Sequence, residues 1–247
     1  MFLHGHNDDA LELCFGKQEK NRNFIRQIVK GPNVVSNDGI KGISRIVSSG
    51  KATPELVQDY TYLVYRNRLE ILYGYKDSGS QTDQEEYLRI KDNYKDIIQQ
   101  ADKFYDIILV DLDKGLEDKM VRQVLNISDV IVYNIEQKLD MINDFKKLKS
   151  ESDILAKNNV LLNIGRMDAE SKYTVKNISR YLGVKKDIIA IPYNTLYFEA
   201  SSEENVSELF LRIRKLSVND KNAIFSEQVK DVVEKIIYKL KEVQMKI

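Results

Sequence analysis

The sequence predicts an α/β fold, a three-layer Rossmann-like arrangement with a mostly parallel sheet and C-terminal helices. Three observations predict it. Four apolar runs have the length of strands and are rich in β-branched residues: Tyr105 to Asp111, Asp129 to Tyr133, Asn159 to Ile164 and Asp187 to Ile191. Segments with helical spacing of apolar residues lie between them. The last third of the chain reads as helix. Continuous apolar runs mark strands covered on both faces, and strand-helix alternation implies βαβ units with right-handed crossovers.

Taken in order, Gly39 to Ser49 and Pro54 to Arg66 carry helical patterns, with Thr53 as a cap and Pro54 at the first helical position. Leu69 to Tyr73 is a fifth strand, ahead of Gly74. The polar, glycine-containing segment Asp77 to Glu86 is expected to be a mobile surface loop. Helices are predicted over Gln84 to Ala101, Glu117 to Asn126, Gln137 to Leu155 and Ser171 to Leu182, the last ended by Gly183. Two more follow, Glu203 to Leu216 and Asn222 to Ile247. In the final helix Phe225, Val229, Val232, Val233, Ile236, Ile237, Leu240 and Val243 form one stripe, suited to packing on the sheet or on a second subunit. Glu and Lys alternate on its polar face, which suits an anionic membrane surface poorly. No stretch reads as a linker, so residues 1–247 are expected to form a single domain, with 216–247 as its C-terminal amphipathic helix.

With 247 residues, 43% of them hydrophobic, the chain can build one sizeable core. Lys+Arg and Asp+Glu both number 38, so bulk charge gives no sign of nucleic-acid binding. The lone Cys14 excludes an intrachain disulfide and reads as a buried small hydrophobe in a reducing compartment. No apolar run approaches the roughly 20 residues of a membrane span. The start at Met1 lacks the features of a signal peptide. A soluble cytoplasmic protein is the expectation. The basic runs Lys146-Lys147 with Lys149, and Lys185-Lys186, read as solvated helix faces, nonspecific DNA contact being their other use. His4 and His6 share a face if extended, as an exposed pair or as two ligands of a metal.

Chemistry concentrates at strand ends. The run YDIILVD ends in Asp111, with Gly115 four residues on. A carboxylate at the C-terminal edge of a parallel strand faces the crevice where open α/β sheets bind ligands, and can hold Mg²⁺ through water. A glycine beside it lets backbone approach a phosphate. Asn163 stands in VLLNIGRMD, and Pro192 in IPYNTLYFEA leads to Glu199 and Ala200.

These elements, in this order, resemble the MinD/ParA family of P-loop ATPases. The resemblance covers roughly Leu11 to Leu216 and is most specific from Tyr105 to Ala200, with LEILYG as the family's preceding strand and turn. It implies that Asp111 holds Mg²⁺ through water and that Gly115 senses the γ-phosphate. It places Asn163 and Pro192 around the base, with Asp113 and Asp168 as further candidates. It implies ATP or ADP with Mg²⁺ as ligands, a homodimer, a partner protein that stimulates or anchors it, and a positioning or partitioning role in bacteria. Nonspecific DNA or a membrane surface is not indicated.

Two features depart from the family. Asp113 and Lys114 stand where Pro or a small residue is usual. The Gly-rich, Lys-containing Walker A loop is not found, and the string Ser48-Ser49-Gly50-Lys51-Ala52-Thr53 lacks its upstream Gly, its Ser or Thr ligand and a preceding strand. The chain instead opens on Phe2-Leu3-His4-Gly5-His6-Asn7, which resembles the family's second strand with His4 and His6 at acidic positions. A truncated first βα unit, or a natural variant without it, is therefore expected, with impaired ATP hydrolysis. The alternative is a non-catalytic scaffold that keeps the fold.

Overall fold

The structure is a computed structural model, which describes residues 10–14, 39–65, 69–72, 81–112, 115–157, 159–213, 216 and 220–245. His4, His6, Asp113 and Lys114 lie outside the described residues, as do Tyr73 and Gly74. The chain divides into an N-terminal unit, Phe2–Val124 with Glu203–Ser207, and a C-terminal unit, Leu125–Ser202 with Glu208–Ile247.

In the N-terminal unit, strands β1 (Ala10–Cys14), β2 (Tyr62–Tyr65), β3 (Leu69–Leu72) and β4 (Ile107–Asp111) form one sheet in the order β2-β3-β1-β4. β1 runs parallel to both β3 and β4, and β2 joins β3 antiparallel. Helices α1 (Gly39–Ser48), α2 (Pro54–Gln58) and α3 (Gln81–Ala101) pack together, and α4 (Lys119–Ile127) follows β4. Ile43, Val57, Ile71, Leu72, Ile90, Tyr94, Ile97 and Val124 are among the buried residues that make the core.

Three expectations change here. Pro54 to Arg66 is not one helix: α2 ends at Gln58, and Tyr62–Tyr65 becomes β2, because its aromatic and β-branched side chains suit pairing with β3. Thr53 sits at the cap of α2 in an extended conformation but makes no capping hydrogen bond. The 21-residue α3 starts at Gln81, three residues ahead of the expected Gln84, so Gln81 to Asp83, expected as loop, are its first turn. In this helix Glu86 takes ion pairs from Lys41 and Arg45 of α1, at 3.2 and 2.6 Å, which explains a polar helix start. Finally, β4 is half-buried along Ile107–Val110, not covered on both faces. It pairs with β1 on one side, and among the described residues no strand pairs with the other.

The C-terminal unit follows the expected rhythm. β5 (Ile131–Ile135), α5 (Leu139–Glu151), β6 (Val160–Met167), α6 (Val175–Leu182) and β7 (Ile188–Pro192) alternate, and the strands form a parallel sheet in the order β5-β6-β7. Ile142 and Phe145 of α5 and Ile178 of α6 share one cluster with Ile135, Leu162, Ile164 and Ile188, so both crossover helices cover the same sheet face. Thr174 caps α6 by accepting the Asn177 N–H at 3.2 Å, and Gly183, at φ 67°, ends it in the left-handed conformation that glycine tolerates.

Helices α7 (Thr195–Ser202), α8 (Val206–Ile213) and α9 (Lys221–Gln244) complete the described chain. α9 packs on β7: Phe225, Val232, Val233 and Ile237 are buried, the Lys235 ammonium donates to the Ile188 carbonyl at 2.8 Å, and Lys239 pairs with Asp187 at 2.8 Å. The apolar stripe of the last helix thus serves the core, the first of its two expected uses. Among the described residues, no helix is long and apolar enough to cross a membrane.

Candidate functional site

In the N-terminal unit the candidate residues sit where β4 ends. Asp111, the last residue of β4, is exposed and registers with Cys14 of β1. Gly115 is exposed too, and a Cβ there would run into the flexible Glu117 carboxylate. The turn is anchored just beyond. The Gly115 carbonyl accepts from the Asp118 N–H at 3.2 Å. Asp118 Oδ1 takes the Met120 N–H at 2.9 Å at the start of α4, and Oδ2 takes Lys91 of α3 at 2.6 Å.

Burial pushes the Asp118 carboxyl up, but the Lys91 hydrogen bond, the N–H groups of Met120 and Val121 and the Lys91 charge outweigh it, so its pKa lies below the ordinary carboxylate value. A depressed carboxylate stabilises the fold above its unfolded-state pKa, and that contribution is lost as pH falls through the folded value. Asp118→Ala is expected to cost about 1–2 kcal/mol at neutral pH by combining a lost cap with a lost, largely shielded ion pair. Thermal melts as a function of pH check this: the gap between variant and parent should close in strong acid.

The string around Lys51 is a helix exit. The N–H of Gly50 bonds to the Val47 carbonyl at 3.0 Å and that of Lys51 to the Ile46 carbonyl at 3.3 Å, with Gly50 at φ 69°. This is the paired closure of a helix C-terminus. A phosphate-binding loop needs the N-terminal end of a helix, where free N–H groups point outward. The Lys51 string leaves α1 in this closed way and meets α2 only at Thr53, where Pro54 has no N–H to offer and the helix is five residues long, so it does not supply such an end.

In the C-terminal unit the candidates lie toward the ends of β5, β6 and β7. Asn163 of β6 registers with Asn134 of β5 and Ile189 of β7, one residue before the regular ladder stops at Ile164. Side chains alternate along a strand, so Asn134 and Asn163 project from the face opposite Ile135, Leu162 and Ile164, away from α5 and α6. Asn163 is only 7% exposed. Its Nδ2 donates to Asn134 Oδ1 at 2.8 Å, whereas its own Oδ1 is buried with no hydrogen-bond partner. A buried acceptor left unpaired costs about 1–3 kcal/mol, so such a group asks for an explanation.

Beyond Ile164, β6 bulges. Arg166 takes a left-handed φ of 51°, which costs a non-glycine residue about 1–3 kcal/mol. Its guanidinium is exposed, 5.9 Å from the Phe198 ring of α7. Pro192, half-buried, ends β7 opposite Met167, and the next residue, Tyr193, donates its N–H to the Met167 carbonyl at 2.8 Å. Asp168 is exposed and its Oδ1 takes the Glu170 N–H at 2.9 Å, closing a local turn. Gln137 ties the ends of β5 and β6 together: it accepts from the Asp168 N–H at 2.6 Å and donates to the carbonyls of Asp168 and Tyr173. Close by, the Lys138 hydrogen bond holds the exposed Glu136 carboxyl below its usual value, with Arg166 adding to it.

The sequence pointed to Asn163 and Pro192 and not to Asn134 and Arg166, which stand beside them in the sheet. Asn134 had a signal, being a strand-averse amide within an otherwise apolar run. Among the described residues, no three His, Cys, Asp or Glu side chains converge as a metal cage. Magnesium that keeps several waters and binds through one or two carboxylates needs no such cage.

No family model matches the chain, and no curated protein matches it. Solved structures do match. A ParA family ATPase from Chlorobium tepidum superposes with a TM-score of 0.66 at 17% identity, covering 96% of this chain and 88% of the other. The septum site-determining protein MinD from Pyrococcus horikoshii, complexed with Mg-ADP, gives 0.60 at 16%, covering 94% and 85%. MinD from the MinC:MinD cell division complex of Aquifex aeolicus gives 0.57 at 15%, covering 87% and 86%. At such identities the likeness is one of fold. The chain has the MinD/ParA-type P-loop ATPase fold.

Proposed function

We propose that this chain is a nucleotide-dependent positioning or partitioning switch, taking ATP or ADP with Mg²⁺ and acting as a homodimer with a partner protein in the bacterial cytoplasm. The observation that carries the reading is the buried Asn163 amide, whose unpaired Oδ1 fits a ligand that brings a donor, as the exocyclic amine of adenine does. Pro192 supplies an apolar edge for the base. Asp111 holds Mg²⁺ through water, and Gly115 leaves backbone room beside the γ-phosphate. The metal, when bound, neutralises phosphate charge.

Turnover is impaired in this reading. A Gly-rich loop supplies both N–H groups and a Lys to the phosphates, whereas the Lys51 string lacks the upstream glycine and its Gly50 and Lys51 N–H groups are taken by the end of α1. The same observation favours a second reading, a non-catalytic scaffold that keeps the fold without hydrolysis.

Calorimetry with ATP and ADP, with and without Mg²⁺, separates the two. The switch reading expects micromolar, Mg²⁺-enhanced binding that Asp111→Ala weakens by about tenfold, mainly by removing the metal dependence. A folded protein that binds neither nucleotide would leave only the scaffold.

A further inference from the structure

We propose that Asn134 is a positioning residue that sets the hydrogen-bond polarity of Asn163, and thereby makes the subsite select an amino-bearing purine over an oxo-bearing one. The inference rests on the reading of Asn163 as the base-side contact and goes one residue beyond it.

A primary amide is nearly symmetric in shape but not in chemistry. One end donates and the other accepts, and which end faces a ligand depends on what holds the opposite end. Here the holder is Asn134. Asn134 and Asn163 are register partners on neighbouring parallel strands, and Asn134 Oδ1 accepts from Asn163 Nδ2 at 2.8 Å. That bond commits the nitrogen end of Asn163 to its neighbour. The oxygen end is left as the unsatisfied group, in a side chain more than nine-tenths buried. An unpaired acceptor is completed by an N–H donor and repelled by a carbonyl oxygen. Adenine offers an amine at the position where guanine carries an oxygen, so the arrangement favours the adenine nucleotide.

Asn134 suits this role. It is exposed, with its Oδ1 turned to Asn163 and its Nδ2 left to water, and among the described residues its one hydrogen bond to another side chain is the one to Asn163. The face it occupies lies away from the α5 and α6 cluster, so substitution leaves that core untouched.

Three variants read the polarity directly. Asn134→Asp keeps an acceptor in place and should hold the parent preference for ATP over GTP. Asn134→Lys offers only donors. It should turn Asn163 round, present Nδ2 outward and lower the ATP:GTP affinity ratio by roughly tenfold or more, with GTP binding gained and not merely ATP binding lost. Asn134→Leu removes the holder and should bring the ratio toward unity. The measurement is the pair of dissociation constants for each protein, alongside a thermal melt to confirm folding. A ratio unchanged in Asn134→Lys and Asn134→Leu, with ATP still bound, overturns the role of Asn134 and leaves the base-site reading standing. A folded parent that binds neither nucleotide overturns both.

Discussion

Asn163→Leu is expected to make the protein more stable and less able to bind nucleotide. The native amide is buried, and its oxygen has no partner. Leucine has the same branching and number of side-chain heavy atoms and brings no unsatisfied group, while the exposed Asn134 recovers its lost bond from water. Removing an orphaned buried acceptor returns about 1 kcal/mol or more of its desolvation cost, so the melting temperature should rise by a few degrees. The same change deletes the acceptor proposed to meet the base, and nucleotide affinity should fall by at least about tenfold. Opposite signs in stability and binding would mark Asn163 as a group kept for a ligand at the expense of the fold. A variant that loses stability and keeps its affinity would show the reverse, an amide with a structural task.

Phe145→Ala should have the largest effect on stability. Phe145 is 1% exposed, its ring lies 4.9 Å from that of Tyr133, and it fills the space between α5 and the sheet within the cluster around Leu162 and Ile164. Truncating a buried phenylalanine removes its burial energy and leaves a cavity that rigid neighbours close only in part, a loss of about 3–5 kcal/mol. Chemical denaturation should show the midpoint falling at unchanged slope. Phe145→Leu should lose much less, because it keeps most of the volume. An equal loss in both variants would mean that ring contacts, not filled space, hold the cluster together.

The strands of the C-terminal unit were legible because each opens on a strand-length run rich in apolar and β-branched residues, although only β6 is buried along most of its length and Asn134 of β5 is exposed. β2 was not, because Tyr62–Tyr65 directly follows a proline-led helical start, and only its pairing with β3, set by tertiary contact, decides its state. The start of α3 was hidden for the opposite reason: its sequence is polar without apolar spacing and so resembles a loop, and the ion pairs of Glu86 with Lys41 and Arg45 of α1 are set by tertiary contact. Among the candidate residues, Asp111, Asn163 and Pro192 stand out by motif order alone. Asn134 does not, since its contact with Asn163, 29 residues away, exists only through strand register. Arg166 does not either, because a left-handed arginine follows from a bulge that nothing in its neighbours announces.

The two lysines of α9 bear on the lateral margin of the β5-β6-β7 sheet. Among the described residues β7 pairs only with β6, so its outer row of backbone groups is a template on which a stray strand could grow. Lys235 occupies one of those carbonyls and Lys239 fixes the residue before it, while the apolar side of α9 roofs the strand. The C-terminal helix thereby acts as a stopper against open-ended cross-chain pairing, and proteolytic loss of it would register first as self-association of the remaining chain.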